Sequence, residues 1–115
     1  MVVEMRRINI LRLSRYLKMK KFSVLDGAVE KITCERERIF IEFLDWKNEP
    51  WIITFENVLG FRSVGALGAG LSEMFVKDVT SLSQELALIN PSEVGISYCF
   101  TCARDWKVVL IIVAS

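Results

Sequence analysis

One stretch of the chain, residues 28–61, decides which fold class the protein can adopt. Apolar side chains recur at every second position over residues 39–44 and again over residues 51–56. A period of two that is rich in β-branched and aromatic residues is typical of strands. Together with residues 28–35, these segments predict a meander of three strands and two tight connections. The side chains expected on its core face are Ile39, Ile41, Phe43, Trp51, Ile53 and Phe55.

The two connections in this stretch have the composition of turns. Residues 35–38 are all charged, and residues 45–50 contain Asp, Asn and Pro. Because Pro50 has no N–H group to donate to a sheet, it fits the first residue of a strand. The side chains predicted to face water or a partner, opposite the core, are Glu42, Thr54 and Glu56.

The last third of the chain predicts a second hairpin over residues 94–113. Side chains alternate over residues 94–102, whereas the strand predicted for Trp106–Val113 is apolar on both faces from Val108 onward. A strand of that kind is central in a sheet, pairs across a subunit interface, or forms an unprotected edge. The sequence does not choose between these three positions.

One helix is expected between the two hairpins, over residues 82–89. Ser81-x-x-Gln84 fits a capping box at its start, and Asn90-Pro91 ends it. Residues 72–78 predict a short strand or a turn. The expected fold class is therefore α+β: a mainly antiparallel, curved β-sheet with one short helix and an N-terminal arm or helix.

The N-terminal segment differs from the rest of the chain in charge. Residues 1–22 hold seven Lys and Arg residues against one Glu, a net charge of +6, whereas residues 23–115 carry eight against thirteen, or −5. We predict a basic arm or helix over 1–22, followed by a single β-rich domain over 23–115. The arm is expected to pair with the acidic body of its own or a neighbouring subunit. Met19 is an alternative start, which would make residues 1–18 an upstream extension.

Composition favours association and excludes several kinds of chemistry. Of the 115 residues, 52% are hydrophobic, and a domain this small has little interior in which to bury them. We therefore expect a homodimer, formed by pairing of Val108–Val113 or by exchange of the N-terminal arm, or else a bound protein partner. The chain has no histidine, which removes Ser-His-Asp and Cys-His nucleophiles and histidine metal ligands.

The cellular location is predicted from the absence of targeting features. No secretory signal is visible, and the longest apolar run, Val108–Ala114, is far shorter than the roughly 20 residues of a membrane span. Three cysteines cannot all pair within one chain. These features predict a cytoplasmic protein with reduced thiols and no membrane partner.

The cysteines offer a weak metal site. Cys99-x-x-Cys102 together with Cys34 provides three thiols, and Asp105 or Asp26 is a candidate fourth ligand for tetrahedral zinc. However, Cys99 and Cys102 fall in an alternating strand, where positions i and i+3 point to opposite faces. We expect small buried or half-buried residues instead, with no metal and no cofactor. No spacing selects a catalytic pair among the carboxylates.

A glycine-rich segment and three tryptophans are the remaining candidates for binding. Gly65, Gly68 and Gly70 lack the Lys-Ser/Thr ending of a phosphate-binding loop, so a flexible loop or close backbone packing is expected. Asp-Trp-Lys occurs at residues 45–47 and 105–107, both at hairpin connections. Aromatic residues are common binding anchors. The predicted binding surface consists of Trp46, Trp51 and Trp106.

A longer pattern covers residues 25–61. It reads Leu25-Asp26-Gly27-x-Val29-Glu30-Lys31-Ile32, then Ile39-x-Ile41-x-Phe43-x-Asp45, then Trp51-x-Ile53-x-Phe55-Glu56-Asn57-Val58-x-Gly60-Phe61. This pattern resembles small bacterial β-rich domains of uncharacterised families, some of which are classed with immunity proteins of polymorphic toxin systems. The resemblance implies a non-catalytic, cytoplasmic binding protein from a bacterium and supplies no catalytic motif.

The predicted function is therefore binding of a protein, without catalysis. The alternative is a small-ligand binding protein or an enzyme that uses a cavity inside the curved sheet. A deep polar pocket with two carboxylates would favour this alternative, whereas a filled sheet interior would favour the binding module. A third hypothesis is nucleic-acid binding through the basic arm, which predicts an affinity that falls steeply with salt.

Overall fold

The computed structural model describes residues 26–115 and, for the backbone alone, two strands nearer the N-terminus. Nine strands and one helix follow one another along these parts of the chain. Their bounds are β1 Val3–Arg7, β2 Ser14–Tyr16, β3 Ala28–Glu35, β4 Arg38–Leu44, β5 Pro50–Phe55, β6 Val58–Ser63, β7 Leu71–Lys77, α1 Ser81–Ile89, β8 Ile96–Cys102 and β9 Val108–Ala114.

The strands form two antiparallel sheets rather than the single curved sheet that the sequence predicts. The first has the order β2-β1-β5-β4-β3, and the second has the order β6-β9-β8-β7. The predicted meander lies in the first sheet and the predicted hairpin in the second. Both strand orders are open. The mainly antiparallel architecture with one short helix is confirmed among the described residues, whereas the prediction of one sheet is wrong because the strands belong to two.

The two sheets pack face to face around an apolar interior. The predicted core face of the meander is confirmed: Ile39, Ile41, Phe43, Ile53 and Phe55 are at most 3% exposed, and Trp51 packs against them half-buried. The second sheet contributes Tyr98, Phe100, Leu110 and Ile112. The ring of Phe55 meets those of Tyr98 and Phe100 edge-on, with centroids 5.1 and 6.2 Å away. Side chains therefore fill the space between the sheets.

Strand β9 is central in its sheet. It begins at Val108, two residues later than predicted, and pairs with β6 on one side and with β8 on the other. This position explains why it is apolar on both faces. An edge position and pairing across a subunit interface are therefore both wrong for this strand, because its backbone is not free to pair with Val108–Val113 of a second copy.

The glycine-rich loop over residues 64–70 connects β6 to β7 within the second sheet and hydrogen-bonds to β3 of the first sheet. Gly68 N–H donates to the Val29 carbonyl of β3 (2.7 Å), and Ala103 N–H, beyond β8, donates to the Gly70 carbonyl (2.8 Å). Gly65 and Gly68 have φ values of 69° and 76°, a region that favours glycine. The glycines therefore permit the backbone conformation of this loop, and an added Cβ atom at Gly65, Gly68 or Gly70 would meet no atom within 4 Å. Because the Gly68 N–H group is used within the chain, it is not available to bind phosphate.

Helix α1 packs outside the second sheet, over β6 and β9. The Arg62 guanidinium and the Glu85 carboxylate form an ion pair of 2.6 Å between β6 and the helix. The helix ends at Ile89 with Asn90 as its C-cap, as predicted. Within the described residues, no helix has the length and apolar composition needed to cross a membrane.

The capping box of this helix lies one residue before the predicted one. Thr80, not Ser81, is the N-cap, and Ser83 is its partner. Ser83 N–H donates to Thr80 Oγ1 (3.2 Å), while Thr80 N–H donates to Ser83 Oγ (2.8 Å). The Thr80 hydroxyl also bonds Ser97 Oγ at 2.9 Å. Since Ser97 is fully buried on β8, this bond anchors the start of the helix to the sheet.

We expect Thr80→Ala to lower the free energy of unfolding by about 2 kcal/mol, because it removes an N-cap and leaves the buried Ser97 hydroxyl without its partner. We expect Ser97→Ala to lower the free energy of unfolding by less than Thr80→Ala does. The double variant Thr80→Ala/Ser97→Ala should lower it by less than the sum of the two single losses. Urea denaturation followed by circular dichroism measures all three. Ser81→Ala is the control and should change stability by less than about 0.5 kcal/mol. Equal losses at positions 80 and 81 would contradict the assignment of the cap.

The described parts of the N-terminal segment are strands of the first sheet. β1 runs antiparallel to β5, from Val3 opposite Phe55 to Arg7 opposite Trp51, and β2 pairs with β1. Of the two predicted conformations, these parts are extended. The remaining positions before residue 26 lie outside the described residues. The division into an arm over 1–22 and a domain over 23–115 stays a prediction.

Candidate functional site

Three loops meet at one end of the two packed sheets. They are residues 45–49 between β4 and β5, residues 64–70 between β6 and β7, and residues 103–107 between β8 and β9. Ala28 pairs with both Leu44 and Gly70, which places the first two loops at the same end of β3, on opposite sides of that strand. The bond from Ala103 to Gly70 attaches the third. We call these three loops the loop end.

The loop end exposes large apolar side chains. Trp46, Val64, Leu67 and Trp106 are 62–68% exposed, although a filled core lies directly beneath them. Single exposed apolar residues are normal on a protein surface, but a group of them at one place is typical of a binding site. The loop end is therefore the candidate binding surface.

Trp106 adopts a backbone conformation that does not suit a tryptophan. Its φ is 61°, in the left-handed region that glycine and asparagine favour and bulky residues avoid. Two hydrogen bonds hold the turn: Trp106 N–H to the Cys102 carbonyl (2.9 Å) and Cys102 N–H to the Lys107 carbonyl (2.8 Å). Trp106 therefore has a strained backbone and an exposed indole at a position where the backbone conformation favours glycine.

The other two tryptophans of the predicted surface differ from each other. Trp46 is exposed in the β4–β5 turn, with Lys47 Nζ 5.0 Å from the centre of its ring. Trp51 packs against the core, and its Nε1–H donates to Asp45 Oδ2 (2.9 Å). The loop end therefore includes the exposed Trp46 and Trp106, whereas Trp51 packs against the core and stabilises the β4–β5 turn through its bond to Asp45.

The two Asp-Trp-Lys segments share one hydrogen bond, although among their residues only Trp106 has a positive φ. Asp45 Oδ1 accepts the Lys47 N–H (2.8 Å), and Asp105 Oδ1 accepts the Lys107 N–H (3.1 Å). An aspartate that bonds the backbone two residues later is common turn chemistry. Turn formation explains why an aspartate occurs in both segments, but it does not explain the exposed indoles.

A groove lies beside Trp106, between the glycine-rich loop and the β8–β9 turn. Its volume is about 740 Å³, within the range of about 300–1,000 Å³ that is typical of ligand pockets. We call it the loop-end groove. Its lining includes Val64, Leu67, Arg104, Asp105, Lys107 and Val108. Sequence patterns did not indicate this groove, because the two loops that form it are far apart in the chain.

The three cysteines do not form a metal site with other described residues. Cys34 is exposed on β3, Cys99 is buried and Cys102 is half-buried. No group of three metal-binding side chains is present among residues 26–115. Burial raises the pKa of the Cys99 thiol, and the nearby Lys77 charge opposes this only in part. Because the thiolate is the nucleophilic form, Cys99 is a small packing residue and not a reactive one.

A second cavity of about 390 Å³ lies at the opposite end of the molecule, beside the end of α1. Leu86 and Ile89 of the helix line it together with Glu37 and Glu93. It is outside the two packed sheets, and both glutamates are exposed. It is therefore not the deep polar pocket inside a sheet that an enzyme of the predicted kind requires.

The resemblance of residues 25–61 to bacterial domains stays a prediction. Comparison of the chain with protein-family models, with curated proteins and with solved structures found no match.

Proposed function

We propose that this protein is a non-catalytic binding protein whose loop end binds a protein partner. The observation that carries the proposal is the exposed Trp106, held in a left-handed conformation beside a groove. Strained residues persist where function requires them, and tryptophan is among the commonest anchors in protein interfaces. The resemblance of residues 25–61 supports a bacterial cytoplasmic protein, of the immunity type among binding proteins.

The filled interior supports this proposal over a ligand cavity between the sheets. Phe55, Phe100, Leu110 and Ile112 occupy that space and are fully buried. An enzyme built in a sheet interior needs room there for a substrate. The glutamates at the second cavity are exposed and lie outside the two packed sheets. Nucleic-acid binding through the basic N-terminal segment is a separate hypothesis, tested by retention on heparin at low salt.

The role of Trp106 predicts a gain of stability when the indole is removed. We expect Trp106→Gly to raise the free energy of unfolding by about 0.5–1 kcal/mol, because glycine relieves the left-handed strain and little buried area is lost. Trp46→Gly is the matched control, since Trp46 is equally exposed without a positive φ, and it should lower stability. Urea denaturation measures both. A loss of stability in both variants would show that the left-handed conformation of Trp106 does not destabilise the protein.

The proposed function is tested by crosslinking in cells of the source organism. A photoreactive phenylalanine analogue at position 106 is expected to give a discrete protein adduct, identified by mass spectrometry. The control position is Leu88, which is 86% exposed at the end of α1, away from the loop end. Adducts that are absent at position 106, or identical at both positions, would contradict the proposal.

We also expect a homodimer formed by exchange of the N-terminal segment, since β9 is occupied on both sides. The pairing of β1 with β5 is the same whether β1 comes from its own chain or from a second copy. Glu4 lies opposite Thr54 in register, and opposite residues in antiparallel strands are close enough for a disulfide. The pair Glu4→Cys/Thr54→Cys therefore reports which chain supplies β1.

The expected result after oxidation is a covalent dimer on a non-reducing gel. The two cysteines are introduced into a chain that also carries Cys34→Ser and Cys102→Ser, because these two native thiols are not fully buried and could form other disulfides. A monomer in which the two introduced thiols can no longer be alkylated, while Cys99 still can after unfolding, would mean that β1 belongs to its own chain. Light scattering of the unmodified protein then gives its oligomeric state independently.

A further inference from the structure

We infer that the loop-end groove binds a peptide segment of the partner in which an acidic residue is next to a large apolar side chain. This inference rests on the proposed function and specifies its ligand. Three features of the groove lead to it: its apolar walls, the space beside its glycine backbone, and its charge.

The apolar walls come from both loops. Val64 and Leu67 of the glycine-rich loop and Val108 at the start of β9 line the groove and are exposed. Because burying apolar walls against an apolar group is favourable, the groove selects a ligand with a large apolar side chain. Trp106, at the adjoining turn, provides a further aromatic surface.

The glycine backbone leaves space for a main chain. A Cβ atom placed on Gly65, Gly68 or Gly70 would meet no atom within 4 Å. Glycine in an open position allows another backbone to approach closely. This space suits a peptide segment lying along the loop better than a compact small molecule.

The charge of the groove is positive. Arg104 and Lys107 line it, and neither forms an ion pair with any residue in the range 26–115. Among the described lining residues the only acid is Asp105, and its carboxylate accepts the Lys107 N–H. Residues 23–115 carry a net charge of −5, so this positive groove departs from its surroundings. Charge complementarity therefore selects a segment that carries Asp or Glu.

The test uses a random dodecapeptide library displayed on phage and panned on the full chain. Selected sequences are synthesised with fluorescein, and their dissociation constants are measured by anisotropy. Three variants are compared with the unmodified protein: Arg104→Glu/Lys107→Glu, Val64→Ser/Leu67→Ser and Trp106→Gly. The matched control, Lys31→Glu/Lys77→Glu, makes the same change of net charge on exposed side chains outside the groove. Circular dichroism verifies that each variant is folded.

We expect the selected peptides to place Asp or Glu beside Leu, Ile, Phe or Trp. Arg104→Glu/Lys107→Glu should weaken binding at least tenfold, the control less than twofold, and added salt should weaken binding to the unmodified protein. Equal affinities for the unmodified and charge-reversed proteins, with binding still lost in Val64→Ser/Leu67→Ser, would overturn the acidic ligand and leave the proposed function. Undiminished binding to Val64→Ser/Leu67→Ser and to Trp106→Gly would overturn both.

Discussion

Replacing Phe55 by alanine is expected to lower the free energy of unfolding by about 3–5 kcal/mol. Phe55 is fully buried, and its ring contacts Tyr98 and Phe100 of the opposite sheet. The substitution removes buried apolar area and both edge-on aromatic contacts, and it leaves a cavity between the sheets. A domain of this size has about 5–15 kcal/mol of stability in total. Thermal unfolding should show a melting temperature lowered by about 10–20 °C.

Phe55→Leu is the control for this prediction. Leucine retains most of the apolar volume but not the ring, so we expect a smaller loss of about 1–2 kcal/mol. Phe61→Ala provides a second comparison, since Phe61 is partly exposed on the edge strand β6. If Phe55→Ala and Phe61→Ala destabilised the protein equally, the packing of the two sheets around Phe55 would be wrong.

Replacing Gly95 by alanine is expected to lower the free energy of unfolding by about 1–3 kcal/mol. A Cβ atom at this position would lie 2.7 Å from Val113 Cγ1, 3.0 Å from Leu59 Cδ1 and 3.2 Å from the Ala114 carbonyl oxygen. One of these atoms belongs to the backbone of the central strand β9, which cannot move without disturbing both of its neighbours. Urea denaturation measures the loss.

Gly70→Ala is the matched control, because a Cβ atom there meets nothing and the φ of Gly70 is not positive. It should be neutral or stabilise the protein by about 0.4–1 kcal/mol, through the lower entropy of the unfolded chain. Val113→Ala removes the nearest clashing atom and should recover part of the stability in the Gly95→Ala background. A Gly95→Ala protein as stable as Gly70→Ala would contradict the close approach of Leu59 and Val113.

The candidate site shows how far local patterns extend. Trp46 and Trp106 were predicted as part of a binding surface, because exposed turns and aromatic residues can be recognised along the sequence. Val64 and Leu67 were not, and Trp51, grouped with the other tryptophans, packs against the core. The place of these side chains on one surface depends on which loops share an end of the sheets. One residue of β3 pairs with both the end of β4 and the glycine-rich loop, which brings these two loops to the same end.

The helix cap shows the same limit on a smaller scale. Ser81 and Gln84 fit the capping box by residue type, yet Thr80 and Ser83 form it. The choice is consistent with the bond between Thr80 and the buried Ser97, which no local pattern contains. Two adjacent hydroxyl residues have similar intrinsic preferences as caps, so a tertiary contact is sufficient to select one of them.

Local sequence patterns are sufficient to predict the strands of the meander, the strand position of Pro50, the core face from Ile39 to Phe55, and the extent of α1. These properties follow from the period of side chains along a strand and from turn chemistry, which act over a few residues. The division of the strands into two sheets, the central position of β9 and the assembly of three distant loops into one exposed surface come from the tertiary structure. Such choices depend on packing between segments far apart in the chain, and the alternation along each strand is compatible with several ways of pairing them.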